Sequence, residues 1–399
     1  MSKLIEASIS PSDLVPRLKD QGYDRERLSS RRDWVERKTG AKLPHIGNFT
    51  IDSELMRGNI ENPIGAVQVP LGIAGPILIH GENAEGSFLV PMATTEGALI
   101  RSYERGMVAI THAGGASAAV LADENQTAPT FFFEDVASAS RFDDDWLRCH
   151  LEEMRDVVSA TTSHGALNSA TCYQVGRQTI LNLGFSTGDA QGMNMIVKAT
   201  DAVCRWIVSN FAGAKYLLFS GMCSEKRPSG FLLTRGKGKR VTAGCLLPAA
   251  VLRMILHTTV EDLFRVWQST VIGQMQAGAI GYSGHVANGL AAIFIATGQD
   301  VANVVNAACA TTNFELHEEG LYASITLPAL SVGTIGGGTG LPTQREALEM
   351  LGCYGGGKAR KFAEVIAAAL LGGEISMGAA IASGEFVGAH ELYGRNRPK

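Results

Sequence analysis

Cysteine is scarce in this sequence, and the few cysteines present are dispersed. The 399-residue chain holds seven of them, an odd number, and no two form a CxxC pair. This pattern argues against a disulfide framework and against a structural zinc site, and it is typical of a reducing compartment. We therefore expect no bound metal and a cytoplasmic location.

The sequence also lacks an excess of charge and a long uninterrupted apolar segment. Its 35 basic and 39 acidic residues leave a net charge of -4, which gives no reason to expect a nucleic-acid or anionic-membrane partner. The first twenty residues contain no apolar core of signal-peptide length. The most apolar stretch, 363–382, is rich in alanine and glycine and is interrupted by Glu374. We therefore expect no membrane partner.

The common nucleotide-binding motifs are missing as well. No GxxxxGKS/T is present and no GxGxxG follows a strand, so an ordinary Rossmann domain is not indicated. What remains is GDAQGMN (188–194), a loop of small residues before a helix, where a pyrophosphate can approach the backbone and meet unpaired N–H groups. A plain glycine turn is the alternative. A second glycine-rich run, GTIGGGTGLPTQ (333–344), enters a helix in the same way.

Hydrophobic periodicity predicts an alternation of helices and strands. In the helix predicted over 94–115, Leu99, Tyr103, Met107 and Ile110 share one face. Between 130 and 219 the predicted order is β-α-β-β-α-β, with strands at 130–136, 171–176, 179–185 and 215–219 and helices at 143–160 and 193–211. Further helices are predicted at 22–40, where Gly40 ends the helix, and over most of the chain after 240.

These elements predict an α+β fold with an inserted domain. The order β-α-β-β-α-β is the split βαβ, or ferredoxin-like, arrangement. We expect it to form a small domain over 129–219. The surrounding parts, 1–128 and 220–399, would together form a large, mostly helical domain.

Four polar residues have ordinary settings when each is considered alone. Glu96 in ATTEG is expected in the first turn of its helix, where an acid is favourable for dipole reasons. Lys226 lies in the polar loop CSEKRPSG, and Asp300 follows the helix-ending Gly298, where an aspartate usually caps the next helix. His390 is a lone histidine near the C-terminus.

Taken together, the motifs resemble those of the hydroxymethylglutaryl-CoA (HMG-CoA) reductase family. The resemblance covers about 55–392 and consists of seven runs in the family order, which are ENPIGAVQVPLGIAGP, PMATTEGALIRSYERG, GDAQGMN, SEKRPSG, HVANGLAAIFIATGQD, GTIGGGTGLPTQ and the histidine near the end. It implies a dinucleotide-binding insert, an acyl-CoA-binding large domain, and an active site between the subunits of a homodimer or higher oligomer. By the same resemblance we expect no membrane anchor and no long C-terminal flap after His390, as in the soluble catalytic portion of the family's first class.

The resemblance also implies a chemistry in which two hydride transfers convert the thioester to mevalonate and free CoA. Lys226 would stabilise the oxyanion, and His390 would protonate the departing CoA thiolate. Glu96, with a pKa raised by burial, would supply the proton for the second reduction. Asp300 would couple Glu96 and Lys226.

Binding residues are carried over from the same motifs. Asp189, Ala190, Gly192, Met193 and Asn194 would line the cofactor, and Ser102 and Arg105 would lie towards CoA. Towards the acyl group we expect Ser220, Glu225, Arg227 and Asn288. Phe132 and Ser186 stand where the family has arginines, one for the acyl carboxylate and one for the NADPH 2′-phosphate. The cofactor is expected to be NADPH, with NADH as the alternative.

Three other functions stay open at this point. One is a thiolase-like acyltransferase that uses Cys223 or Cys309, which would require a thiolate set against a base. The second is a reductase of a related acyl-CoA. The third is a CoA-binding homologue without catalysis, which the two lost arginines would favour.

Overall fold

The computed structural model of the chain describes residues 14–17 and 22–393. Its helices are α1 Arg25–Thr39, α2 Pro44–Gly47, α3 Leu99–His112, α4 Val136–Arg141, α5 Asp144–Cys149, α6 Leu151–Ser159, α7 Met193–Asn210, α8 Gly230–Arg235, α9 Ala249–Ile255, α10 Val260–Gln276, α11 Val286–Thr297, α12 Val304–Ala307, α13 Pro342–Met350, α14 Ala359–Ala382 and α15 Phe386–Tyr393. Its strands are β1 Leu71–Gly81, β2 Glu85–Ala93, β3 Ala116–Thr127, β4 Thr130–Phe132, β5 Ala166–Val175, β6 Gln178–Ser186, β7 Lys215–Leu217, β8 Gly238–Pro248, β9 Thr311–His317 and β10 Gly320–Leu330.

One sheet organises the larger part of the chain. Its strand order is β2-β1-β3-β8-β10-β9, and β1 and β3 are its parallel pair. The register is fixed in the middle by Thr242 of β8, which lies between Ala119 of β3 and Thr326 of β10. Alternate side chains on these strands are buried, so one face of the sheet packs against helices.

A second set of strands forms in the order β7-β4-β6-β5, with all neighbours antiparallel. β6 therefore separates β4 from β5, the two strands joined through helices α4–α6. The long strand β3 connects the two sets, because its first part pairs with β8 and its last residues, Asn125–Thr127, pair with β6. Each set has its own hydrophobic cluster, while the domain boundaries at 129 and 219 stay a prediction.

Helix α14 is the central helix of the larger cluster. By length and composition it could cross a membrane, but 83% of its most apolar window is buried inside the protein, which is the position of a core helix. Helix α3 packs closely against it. A Cβ added at Gly106 of α3 would lie 1.8 Å from the carbonyl oxygen of Gly372, so the two backbones touch where both residues are glycine.

The α+β class is confirmed, and so is the predicted alternation between 130 and 219. The single helix predicted at 143–160 is divided into α5 and α6 at His150. The helices expected over most of the chain after 240 form as α9–α15, and the strands β8, β9 and β10 lie among them. Helix α3 begins at Leu99 after Ala98, whose φ is +69°. Glu96 therefore precedes the helix, and the expectation that it lies in the first turn was wrong.

Candidate functional site

The clearest charged pair outside the sheets joins Lys226 and Asp300. The Lys226 Nζ and Asp300 Oδ2 atoms are 2.6 Å apart, and both side chains are partly exposed. Asp300 lies just past α11, and its Oδ1 accepts a hydrogen bond from the backbone N–H of Ala302. It therefore caps the short turn Val301–Asn303, as its sequence context indicated, and it also orients the lysine.

The loop that carries Lys226 has an unusual backbone that a buried side chain stabilises. Ser224 and Lys226 both have positive φ, at +52° and +55°, a conformation that costs free energy in residues other than glycine. Asn306 of α12, which is fully buried, accepts a hydrogen bond from the Lys226 N–H at 2.8 Å. Its amide donates to the carbonyl oxygens of Ser224 and Arg227. One asparagine thus binds three backbone groups of this loop, between Ser224 and Arg227.

Residues close to Lys226 in the sequence form further polar contacts. Glu225 lies 3.0 Å from the ammonium of Lys237, an ion contact without hydrogen-bond alignment. Lys237 is completely buried, and its Nζ donates to the carbonyl of Gln126 in β3. The Ser220 hydroxyl donates to the carbonyl of Ala128. The guanidinium of Arg227 is exposed over the ring of Phe219. The loop therefore presents two cations, Lys226, which is paired with Asp300, and Arg227, which lies over an aromatic ring.

Glu96 lies near the other end of α11. The Asn288 amide donates to Glu96 Oε1 at 3.3 Å, and Glu96 itself is exposed in this chain. The burial that the sequence interpretation required for Glu96 is therefore not supplied within one chain. About 14 Å of helix separates Asn288 from Thr297 at the end of α11. In the described part of the chain, a hydrogen bond joins Asn288 to Glu96 and an ion pair joins Lys226 to Asp300, as two separate pairs.

The start of α11 is held by two buried groups. Glu374 of α14 accepts hydrogen bonds from the backbone N–H groups of Gly284 and His285. Burial raises the pKa of Glu374, although these N–H donors oppose the shift. The hydroxyl of Tyr103 donates to the His285 carbonyl at 2.7 Å, and burial raises the pKa of this tyrosine well above its usual range. Asn288 therefore projects from a rigid helix end.

The loop GDAQGMN is the predicted cofactor site, but the carboxylate of Asp189 in this loop contacts the protein itself. Its carboxylate accepts from the backbone N–H groups of Gly357, Lys358 and Ala359 at 2.7–3.0 Å. Burial works against ionisation there, yet these three donors leave the pKa of Asp189 lowered. Asp189 thus caps α14, whose own Lys358 supplies no side-chain cap.

The rest of this loop matches what a dinucleotide phosphate needs. Gly192 has φ +75° and a Cβ there would lie 2.6 Å from Thr187, so only glycine fits. Ala190 lies in the loop, and Met193 and Asn194 begin α7, whose first turn has no side-chain cap. Uncapped N–H groups at the start of an 18-residue helix attract an anion. Ser186, at the end of β6, supplies a hydroxyl and no charge.

The residues expected towards CoA are already engaged. Arg105 of α3 donates from Nε to the Ser376 hydroxyl, from Nη2 to the Ser376 carbonyl and from Nη1 to Glu385. Ser102 lies beside them, with its hydroxyl 3.4 Å from that of Ser376.

Two further residues from the motifs lie elsewhere. Phe132 ends β4 opposite Lys215 of β7. His390 belongs to α15, but its side chain lies outside the described part.

Neither cysteine proposed as a nucleophile has a suitable environment. Cys309 and Cys223 are almost completely buried, and burial raises the pKa of Cys309. A thiol in these surroundings disfavours the acyltransferase alternative. Among residues 14–17 and 22–393, no group of three or more His, Cys, Asp or Glu side chains could hold a metal ion.

Sequence reasoning missed Asn306, Lys237 and Glu374. Asn306 and Lys237 contact residues far away in the chain, so local patterns could not reveal their partners. A signal existed for Glu374 and Asn306, because each is a polar residue within an otherwise apolar helical segment. Buried polar groups of this kind are retained when they are hydrogen-bonded.

Comparisons with known proteins, by sequence and by structure, all find the same family. The sequence profile of the hydroxymethylglutaryl-coenzyme A reductase family matches residues 27–395. The chain is 45% identical to a 3-hydroxy-3-methylglutaryl-coenzyme A reductase of Aeropyrum pernix, over 99% of this chain and 95% of the relative. It is 43% identical to that of Methanocaldococcus jannaschii, over 92% of each. A solved class II reductase from Streptococcus pneumoniae, bound to NADPH in open conformations, shares the fold. Its TM-score is 0.66 at 19% identity, over 91% of this chain and 98% of that one.

Proposed function

The chain belongs to the hydroxymethylglutaryl-coenzyme A reductase family, and from this premise we propose that it reduces HMG-CoA to mevalonate and free CoA. The family match extends over nearly the whole chain. The observation that carries it is the Lys226–Asp300 pair, which sits on a loop held by a buried asparagine. A CoA-binding protein without catalysis has no need of an ammonium ordered at such a cost.

The overall reaction consumes two reduced nicotinamide cofactors and two protons per thioester. A bound NADPH or NADH supplies the hydrides. The Lys226 ammonium stabilises the oxyanion that develops on the thioester carbonyl, and Asp300 keeps this ammonium in place. When the hemithioacetal collapses, the C–S bond breaks and His390 protonates the thiolate. Glu96 gives the second proton, to the oxygen of the aldehyde.

The cofactor binds at the loop Ala190–Gly192 and the first turn of α7. The uncapped N–H groups of Met193 and Asn194 suit its pyrophosphate, while Asp189 contributes by fixing the loop to α14. NADPH is the preferred cofactor in this proposal because of the motif GDAQGMN. A hydroxyl at Ser186 weakens that preference, since it cannot replace an arginine beside a 2′-phosphate.

The active site is shared between two subunits of a homodimer. Glu96 is exposed in the single chain, and so are the large apolar side chains of Val67, Leu71 and Ile73 (82%, 52% and 41%). Covering them with a second copy would bury apolar area and would dehydrate the glutamate. It would also allow Glu96 of one subunit to approach the Lys226–Asp300 pair of the other.

The test measures cofactor oxidation with HMG-CoA and an excess of NADPH or NADH. We expect two equivalents oxidised per thioester and CoA released, with a loss of at least about a hundredfold in kcat for Lys226→Ala. Mixing and reassociating inactive Lys226→Ala and Glu96→Gln subunits should restore up to about a quarter of the activity if the site is shared. Absence of oxidation with both cofactors would overturn the function, and no recovery on mixing would overturn the shared site.

A further inference from the structure

The junction between α14 and α15 is a short, sharply turned segment. Helix α14 ends at Ala382, and Gly384 takes a left-handed conformation with φ +75°. Glu385 follows, and α15 begins at the next residue, Phe386. The side chain of Glu385 is therefore the last group before α15 that can fix the direction of this helix.

The carboxylate of Glu385 contacts two different parts of the chain. Its Oε2 lies 3.0 Å from Nη1 of Arg105 in α3. Its Oε1 lies 2.8 Å from Nδ1 of His257, in the turn between α9 and α10. The hydrogen bond from His257 and the nearby charge of Arg105 lower the pKa of Glu385. The carboxylate thus bridges two elements that are distant in sequence.

Both partners of Glu385 are themselves held in place. The other two nitrogen groups of Arg105 donate to the hydroxyl and the carbonyl oxygen of Ser376, so its guanidinium cannot turn freely. His257 has φ +53°, which a residue with a Cβ adopts at a cost. Strain of this kind persists where the surrounding structure over-determines the backbone. Two fixed donors therefore converge on one carboxylate.

The described apolar side chains of α15 are largely in water. Among them, Phe386, Val387 and Leu392 are 41%, 67% and 63% exposed. Apolar surface that stays in water gains nothing from the hydrophobic effect. The polar contacts of Glu385, the residue immediately before this helix, therefore have a share in setting its position.

We propose that Glu385 is a positioning residue, which sets the placement of His390 by bridging Arg105 and His257. His390 lies five residues further along α15, about 7.5 Å along the helix axis, so a change of direction at Glu385 displaces it. This inference rests on the proposed function, in which His390 protonates the CoA thiolate. That proton is needed in the first half-reaction, from thioester to aldehyde, and is not needed when the free aldehyde is reduced.

The test compares the two half-reactions in Glu385→Gln, which keeps the side-chain shape and removes the charge. We expect overall reduction of HMG-CoA to slow by about five- to tenfold, since displacement of a catalytic group by less than 1 Å is enough for this. Reduction of the added free aldehyde should stay at the wild-type rate. His390→Gln should show the same selective loss in a more severe form.

Glu261→Gln is the matched control, because it removes the same charge from the exposed first turn of α10, four residues after His257. It should leave both half-reactions unchanged. His257→Asn, whose asparagine tolerates the left-handed backbone, should reproduce the selective loss, and the double variant should be no slower than either single one.

Three results would overturn the positioning role. These are an unchanged first half-reaction in Glu385→Gln, equal losses in both half-reactions, or additive effects of the two substitutions. Equal losses would mean that Glu385 only stabilises the fold. Failure of the proposed function is a separate result, because the wild-type protein itself would then oxidise no cofactor.

Discussion

Asn306 shows how much of a charged site can depend on one neutral side chain. It is fully buried and satisfies the Lys226 N–H together with the carbonyl oxygens of Ser224 and Arg227. The unfavourable backbone at Ser224 and Lys226 is thus offset by hydrogen bonds made in the low dielectric of the interior. The position of the ammonium therefore depends on Asn306, a residue that forms no hydrogen bond with the Asp300 carboxylate in the described part of the chain.

We expect Asn306→Ala to lower kcat by about ten- to a hundredfold, because the loop would lose the geometry of Lys226. The free energy of unfolding should also fall by about 2 kcal/mol, since buried backbone groups would lose their hydrogen-bond partners. Initial rates and urea denaturation measure the two effects. Asn313→Ala removes an amide from the exposed surface of β9 and should change neither. Wild-type kcat in Asn306→Ala would show that the loop keeps its shape unaided.

At the scale of elements, the contact between α3 and α14 determines the core of the larger part. Helix α3 buries Leu99, Tyr103, Met107 and Ile110 on one face, as their periodicity predicts. What periodicity cannot show is how near the partner helix comes. Gly106 and Gly372 let the two backbones touch, and this brings Tyr103 to the start of α11.

We expect Gly106→Ala to destabilise the protein by about 3 kcal/mol, because the new methyl group would overlap backbone atoms of Gly372 that cannot move alone. Gly273→Ala is the control, since Gly273 lies in α10 with open space around it. At that position the better helix propensity of alanine should stabilise the folded protein by up to about 1 kcal/mol. Thermal unfolding of both variants measures the difference. Equal transition temperatures for the two would contradict the close contact.

At the scale of the whole molecule, Asp189 connects the loop of the smaller strand set to the core helix of the larger one. Its carboxylate caps the N-terminus of α14, and the backbone N–H of Thr334 donates to its carbonyl oxygen. The loop GDAQGMN and the helix that leads to α15 are therefore directly linked. The role carried over from the motif placed Asp189 at the cofactor, whereas its carboxylate is directed to the protein.

The stabilisation by Asp189 should depend on pH in a defined direction. Since its pKa is lowered in the folded chain, the contribution is complete above the ordinary aspartate range, about pH 4, and is lost as the pH falls through the folded pKa. We expect the free energy of unfolding of Asp189→Ala to be about 1 kcal/mol lower than that of wild type between pH 5 and 7. Urea denaturation measures this difference.

Below about pH 4 the difference between wild type and Asp189→Ala should shrink. Asp33→Ala, which removes an exposed aspartate of α1, should show no such trend. A constant difference between Asp189→Ala and wild type at all pH values would exclude the capping carboxylate as its cause.

Sequence patterns alone predicted the elements that obey a local period, and the resemblance of the motifs supplied the candidate catalytic residues. The alternation between 130 and 219, the buried face of α3 and the glycine loop before α7 were all predictable, because each follows from neighbours within a few residues. β3 and β8 were not predicted. Their alanine-rich or charged sequences, such as ASAAVLADENQT, have weak strand propensity, and they become strands because pairing partners lie on both sides.

Only the tertiary structure decided which polar groups meet. It joined Lys226 to Asp300 and to Asn306, turned Asp189 towards α14, and left Glu96 exposed beside Asn288. These contacts span from 74 to 192 residues of chain. No local pattern encodes them, because hydrogen bonds and ion pairs act over a few ångströms and depend on how distant elements pack.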